Sequence, residues 1–217
     1  MDLLDRVRPA AADLLGRVDS ALLTLGAPAD HAVWTLLRTV GALPSEAVAH
    51  VAELSPGLLA DAAATMRRST SQWHDVVVTL PSSTGSEGVA AEAYANAWPG
   101  VAAHLADLAG RLDDAAAYLT ATADWIARSR RSLAGTLAAC LGSREALTLR
   151  SAGVAGVDRA TVAAAADLAT QVLAIVAHCL DDGWQLRDRF AHVLAESGPV
   201  DPGADPTIGP RHRIDIR

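Results

Sequence analysis

One apolar seam constrains this chain more than any other feature. It starts at Tyr94 and runs through Trp98, Val101, Leu105, Leu108, Leu112, Ala115, Leu119, Thr122 and Ile126, then on to Ser129, Leu133 and Leu137. Steps of four and three residues alternate almost throughout, as in a helix that turns one stripe toward a neighbour. The seam crosses Pro99-Gly100 without losing phase. A proline inside a helix removes one backbone hydrogen bond and presses its ring on the carbonyl four residues back, so it bends the helix. A chain that reversed at Pro99 would have no reason to keep the phase. We therefore read a single helix over 87–141, bent near Trp98 and roughly 80 Å long at about 1.5 Å per residue.

The reversal then falls ahead of this helix, in the polar run Pro81-Ser82-Ser83-Thr84-Gly85. Before it, Leu59, Ala62, Met66, Ser69, Trp73, Val76 and Leu80 repeat the same alternation, and Ser55-Pro56 suits a helix start. The sequence thus predicts an antiparallel hairpin of 56–80 with 87–141, with Trp73 and Trp98 facing each other near the loop. A further stripe, Leu3, Val7, Ala11, Leu14, Val18, Leu22 and Leu25, predicts a helix over 2–25 that Gly26 and Pro28 end. Two short helices, about 30–40 and 44–54, are too short to stand alone and should cap their longer neighbours. Residues 143–157 read as a connector holding one short helical turn. The last helix spans about 158–196, is apolar on more than one side and has Asp182-Gly183 as a place to kink. The tail, 197–217, carries four prolines without periodicity and reads as disordered.

The expected fold is therefore all-α, an elongated helical bundle built on the long hairpin. Its parts are 1–54 (helix plus short caps), 55–142 (hairpin), 143–196 (connector and last helix) and the tail. Composition agrees: apolar residues make up 51% but aromatics only 4%, so the core is built from Ala, Leu and Val. The net charge is −7 and every basic residue is Arg, which gives no basic face for nucleic acid. Residues 160–180 are apolar enough to suggest a membrane span, yet Asp167, Gln171 and His178 lie within them, and a buried helix is the better reading. The charged start MDLLDRVRPAAADLL does not resemble a secretory signal, which points to a cytoplasmic location. Cys140 and Cys179 both sit in apolar helical patterns and read as buried thiols, with a disulfide between two helices as the alternative.

After the predicted reversal come Gly88, Ala90-Ala91, Tyr94 and Trp98. This run resembles the start of the second helix in the WXG family, the small ESAT-like helical hairpins of type VII secretion. Members show Trp-x-Gly, paired alanines, an aromatic and a second Trp. The Leu105, Leu108, Leu112 and Leu119 ladder matches as well, and the resemblance covers roughly residues 56–130. It departs at Ser86, which stands where the family has its first Trp. The family's export signal, Tyr-x-x-x-acid, is missing as well, because Tyr118 is followed by Thr122. His178 with Asp182 keeps the spacing but lacks the phenol.

The resemblance implies a non-enzymatic protein that pairs through its helices with a second copy or another chain, as a substrate, pairing partner or adaptor, with export as a further implication. A glycine at the turn, small alanines and then aromatics suit such a hairpin, because the helices approach closely near the turn and aromatics fill the groove beyond. Candidate contact residues are Leu105 and Leu112, with Trp125 either packed on another helix, the favoured reading, or facing a partner, and with Arg211 and Arg213 in the tail as a docking peptide. A stand-alone scaffold or immunity-type binder remains open, as does a ligand-binding or enzymatic bundle. The seven histidines show no HxxxH or ExxH on one helix face, and no phosphate loop or nucleophile elbow is present, so no cofactor, metal or catalytic group is expected.

Overall fold

The computed structural model describes residues 2–79, 88–155 and 158–196. All regular structure among them is helical: α1 (Leu3–Leu25), α2 (Val33–Val40), α3 (Pro44–Glu53), α4 (Pro56–Thr79), α5 (Val89–Leu141), α6 (Arg144–Ala155), α7 (Arg159–Arg189) and α8 (Ala191–Glu196).

α5 is one helix with Pro99 inside it. Its C-terminal third enters a core made with α1, α2, α3, α6 and α7. There Leu4, Leu14, Val18, Val33, Val48, Leu133, Leu137, Leu168 and Leu173 are buried. α7 is the central strut: Ala165, Leu168, Ala169, Val172, Leu173 and Val176 bury more than one of its sides against these neighbours, as its all-round apolar pattern requires. The predicted location of Asp158 at its start holds, since the Asp158 carboxylate accepts from the Thr161 backbone N–H at 2.8 Å and from its hydroxyl at 2.7 Å. Those donors hold the carboxyl below the usual range.

α3 lacks a capping side chain of its own. Asp19, a buried residue on α1, supplies one from outside: its Oδ2 accepts from the Ser45 backbone N–H at 3.3 Å and from the Ser45 hydroxyl. Burial pushes the Asp19 carboxyl up, against the pull of the Ser45 donors. The positive end of the α3 dipole favours this placement.

α4 packs along the middle of α5. Arg67 hydrogen-bonds Thr120, Trp73 lies beside Leu105, Leu108, Ala109 and Leu112, and the Leu54 carbonyl just before α4 accepts from Arg130 at 3.1 Å. Buried along this stretch of α5 are Ala109, Ala116 and Ala123, with Ala63 on α4. The close-packed row therefore lies one row over from Leu108, Ala115 and Thr122. A methyl group lets two helix backbones approach, so the row of alanines sits innermost and larger residues flank it.

Three expectations change, and one, the buried free thiols, holds. Residues 143–157 hold α6, a twelve-residue helix, in place of a single turn. The last helix breaks at Phe190 rather than at Asp182-Gly183, and the Phe190 ring packs against Tyr118 with centroids 5.4 Å apart. Trp73 does not meet Trp98: it sits two turns further along α5, while Trp98 stacks on Tyr94. Cys140 and Cys179 are both buried and free. Cys140 is at the C-terminal end of α5, its Sγ 3.7 Å from Gln171 Oε1, whereas Cys179 lies by Ser129. Eleven residues of α5 separate those neighbourhoods, roughly 16 Å of helix, far beyond disulfide reach. The proposed loop at 81–86, Ser86 and the 197–217 tail lie outside the described residues.

Candidate interaction surface

Gly88 immediately precedes α5 with φ +117°, a backbone conformation that side chains rarely adopt. Its carbonyl accepts from Ala91 and Glu92, opening the helix. Ala91 is half-buried and the side chain of Ala90 lies outside the description. One turn on, the Tyr94 and Trp98 rings stack, with centroids 5.8 Å apart and planes 18° from parallel.

Beyond the stack the surface is apolar and open. Tyr94 is 40% exposed, Val101 48% and Leu108 42%, at steps of seven residues. That step returns to the same side of a helix, so the three make one line. Leu105 and Leu112 are half-buried beside it, and Trp73 at 46% exposure flanks it from α4. α4 ends six residues past Trp73, about 9 Å further along at helical rise. Val89 to Val101 therefore extend past the last described turn of α4.

Trp125 is placed differently. Its indole N–H donates to the Cys179 carbonyl at 2.9 Å, and its ring lies on Gly183, where an added Cβ would stand 2.8 Å from Cζ2. A bare glycine is what lets the indole seat against α7. Trp125 is thus engaged within the protein, half-buried, rather than held out toward solvent. Trp184, one residue on from Gly183, is exposed, with the Arg187 guanidinium 4.4 Å above its ring. Arg211 and Arg213 lie outside the described residues.

Sequence reasoning missed a residue with six hydrogen bonds to distant parts of the chain. Arg130 is only 5% exposed. Its Nε and Nη2 clamp Asp2 at 2.5 and 3.1 Å, and Nη2 also reaches Asp5 at 2.7 Å. Its Nη1 donates to the carbonyls of Val51, Ala52 and Leu54 at 3.3, 2.5 and 3.1 Å. Asp2 and Asp5 meanwhile cap α1 reciprocally. One guanidinium thus ties the start of α1 to the end of α3 and to α5. Its hydrogen bond holds the Asp2 carboxyl at about 2, and the paired carboxylates push the Arg130 pKa up. The signal was present: Arg130 continues the seven-residue row Ala109, Ala116, Ala123 and precedes Leu137, so a charge sits on the buried side.

Burial pushes both thiols up, toward the protonated form in which sulfur is a poor nucleophile and a poor ligand. Among the described residues no three His, Cys, Asp or Glu side chains gather as metal ligands. His178 and Asp182 are 3.9 Å apart on the surface of α7. By length and composition α7 could cross a membrane, and half of its most apolar window is buried inside the protein. Comparison with family models, with curated proteins and with solved structures gave no match.

Proposed function

We propose that this chain is a non-enzymatic helix-docking protein of the WXG kind, serving type VII secretion as a substrate, pairing partner or adaptor from a cytoplasmic location. The long antiparallel hairpin of 56–80 with 87–141 belongs to this reading. What supports it is the order of contacts: Leu54, Arg67 and Trp73 meet Arg130, Thr120 and the 105–112 stretch, so partner numbers fall as α4 ascends. Gly88 opening α5 at positive φ and the Tyr94–Trp98 stack support the motif assignment. α7 reads as a core helix, since its apolar side chains already have neighbours.

The observation that carries the docking role is the open line Tyr94, Val101 and Leu108, flanked by the small residues Ala97, Ala102 and Ala109. Such a line accepts a partner helix laid in a groove, with apolar anchors at heptad steps. Each half-exposed side chain covered contributes roughly 1 kcal/mol, about half the value of a full burial.

The double variant Val101→Asp/Leu108→Asp tests this in the native host. The wild-type chain should co-purify with a small helical protein of the secretion system, and the variant should lose it at unchanged helicity by circular dichroism. Identical partners for both proteins would contradict the reading. A symmetric homodimer by light scattering, with no second protein, would favour a scaffold instead.

A further inference from the structure

Where α3, α5 and α7 meet, a cleft of about 190 Å³ opens beside the core. Val40, Val51, Leu54, Val176 and Leu180 form most of its walls, and Trp125 closes one side. Ser129 and Cys179 line it too, and His50 is its one titratable ring nitrogen. No Asp, Glu or Arg side chain lines it among the described residues.

We propose that this cleft binds a small uncharged aromatic molecule, about one substituted ring in size, seated against the Trp125 indole. The size fits: an apolar cavity of about 150 Å³ in another protein stays dry and takes benzene. The lining offers no carboxylate or guanidinium to pair with a charged ligand, which would lose its water on entering an apolar cleft. The aromatic wall favours a ring, which gains from offset stacking on the indole. The wall is also fixed before any ligand arrives. The indole N–H is committed to the Cys179 carbonyl, and Gly183 gives the ring a seat without a Cβ. A rigid wall saves the ordering cost that a mobile one would pay on binding. The site stands apart from the docking line, whose residues lie further toward the N-terminus of α5.

The full chain, labelled with ¹⁵N, is titrated with phenol and benzene, and with benzoate as the charged control. The Trp125 indole resonance, assigned with Trp125→Phe, is the reporter. Phenol and benzene should shift it saturably, and benzoate should bind at least about tenfold more weakly. Ala42→Phe places a ring in the cleft and should weaken phenol binding by about tenfold or more. If that variant fails to fold, Val51→Phe replaces it with the same expectation. A linear, unsaturable shift, equal binding of benzoate, or undiminished binding to the filled variants would overturn the proposal.

Discussion

The two halves of α5 live in different environments. From Ile126 to Cys140 the helix is threaded through a core of leucines and valines contributed by α1, α3, α6 and α7. From Val89 to Leu112 it runs past the last described turn of α4 and then alongside it, and the large apolar side chains there stay partly in water. Both halves obey the same three-four spacing. The difference teaches that periodicity sets which side of a helix is apolar, while neighbours decide whether that side is covered. In the first half an apolar line is left over in water.

The contrast can be broken most forcefully at Arg130. Arg130→Ala leaves Asp2, Asp5 and the carbonyls of Val51, Ala52 and Leu54 without their donor, at a cost of about 3–5 kcal/mol. Denaturant unfolding should show this as a large drop in midpoint. A leucine pair sharpens it next: Leu137→Ala, in the core, should cost about 2–5 kcal/mol, whereas Leu108→Ala, on the open line, should stay within about 1 kcal/mol. Equal losses at the two sites would erase the distinction between the halves. Ala116 is fully buried, so Ala116→Leu should cost about 1–3 kcal/mol by overpacking its surroundings.

The smallest effect is the pH dependence of the Asp2–Arg130 pair. Folded Asp2 stays ionised down to about pH 2, whereas the unfolded chain takes up its proton near 3.8. A depressed folded value means the pair stabilises fully above the unfolded value and loses that stabilisation as pH falls toward 2. Asp2→Asn should therefore flatten the acid limb of the stability curve between about pH 4 and 2, measured by urea titration at each pH. The Asp2 side chain is 43% exposed, so solvent screening keeps the effect modest.

Several features could be read from the residues themselves. The unbroken phase through Pro99 located α5, because a helix that bends keeps its register. Gly88 announced a backbone conformation that only glycine adopts easily. The alanine row was harder to see. Hydrophobic periodicity weights large side chains, so Leu108 drew attention where Ala109 is the closer contact. Arg130 escaped for a related reason. Neighbouring Arg131 is exposed, and two adjacent arginines read as a solvated face until Asp2 and Asp5, more than 120 residues away in sequence, arrive beside one of them. At the break, Phe190 packs on Tyr118 from another helix, a contact that no local pattern encodes. The cleft beside Trp125 is likewise a product of three helices meeting, and no single stretch of sequence spells it.

The central claim is that α5 runs on through Pro99 as one helix. A spin-label distance between Glu92→Cys and Asp124→Cys, in a background with Cys140→Ala and Cys179→Ala, tests it most directly. Thirty-two residues of continuous helix place the two sites about 48 Å apart. A chain folded back at Pro99-Gly100 would bring them to about 27 Å, and a distribution centred there would contradict the account.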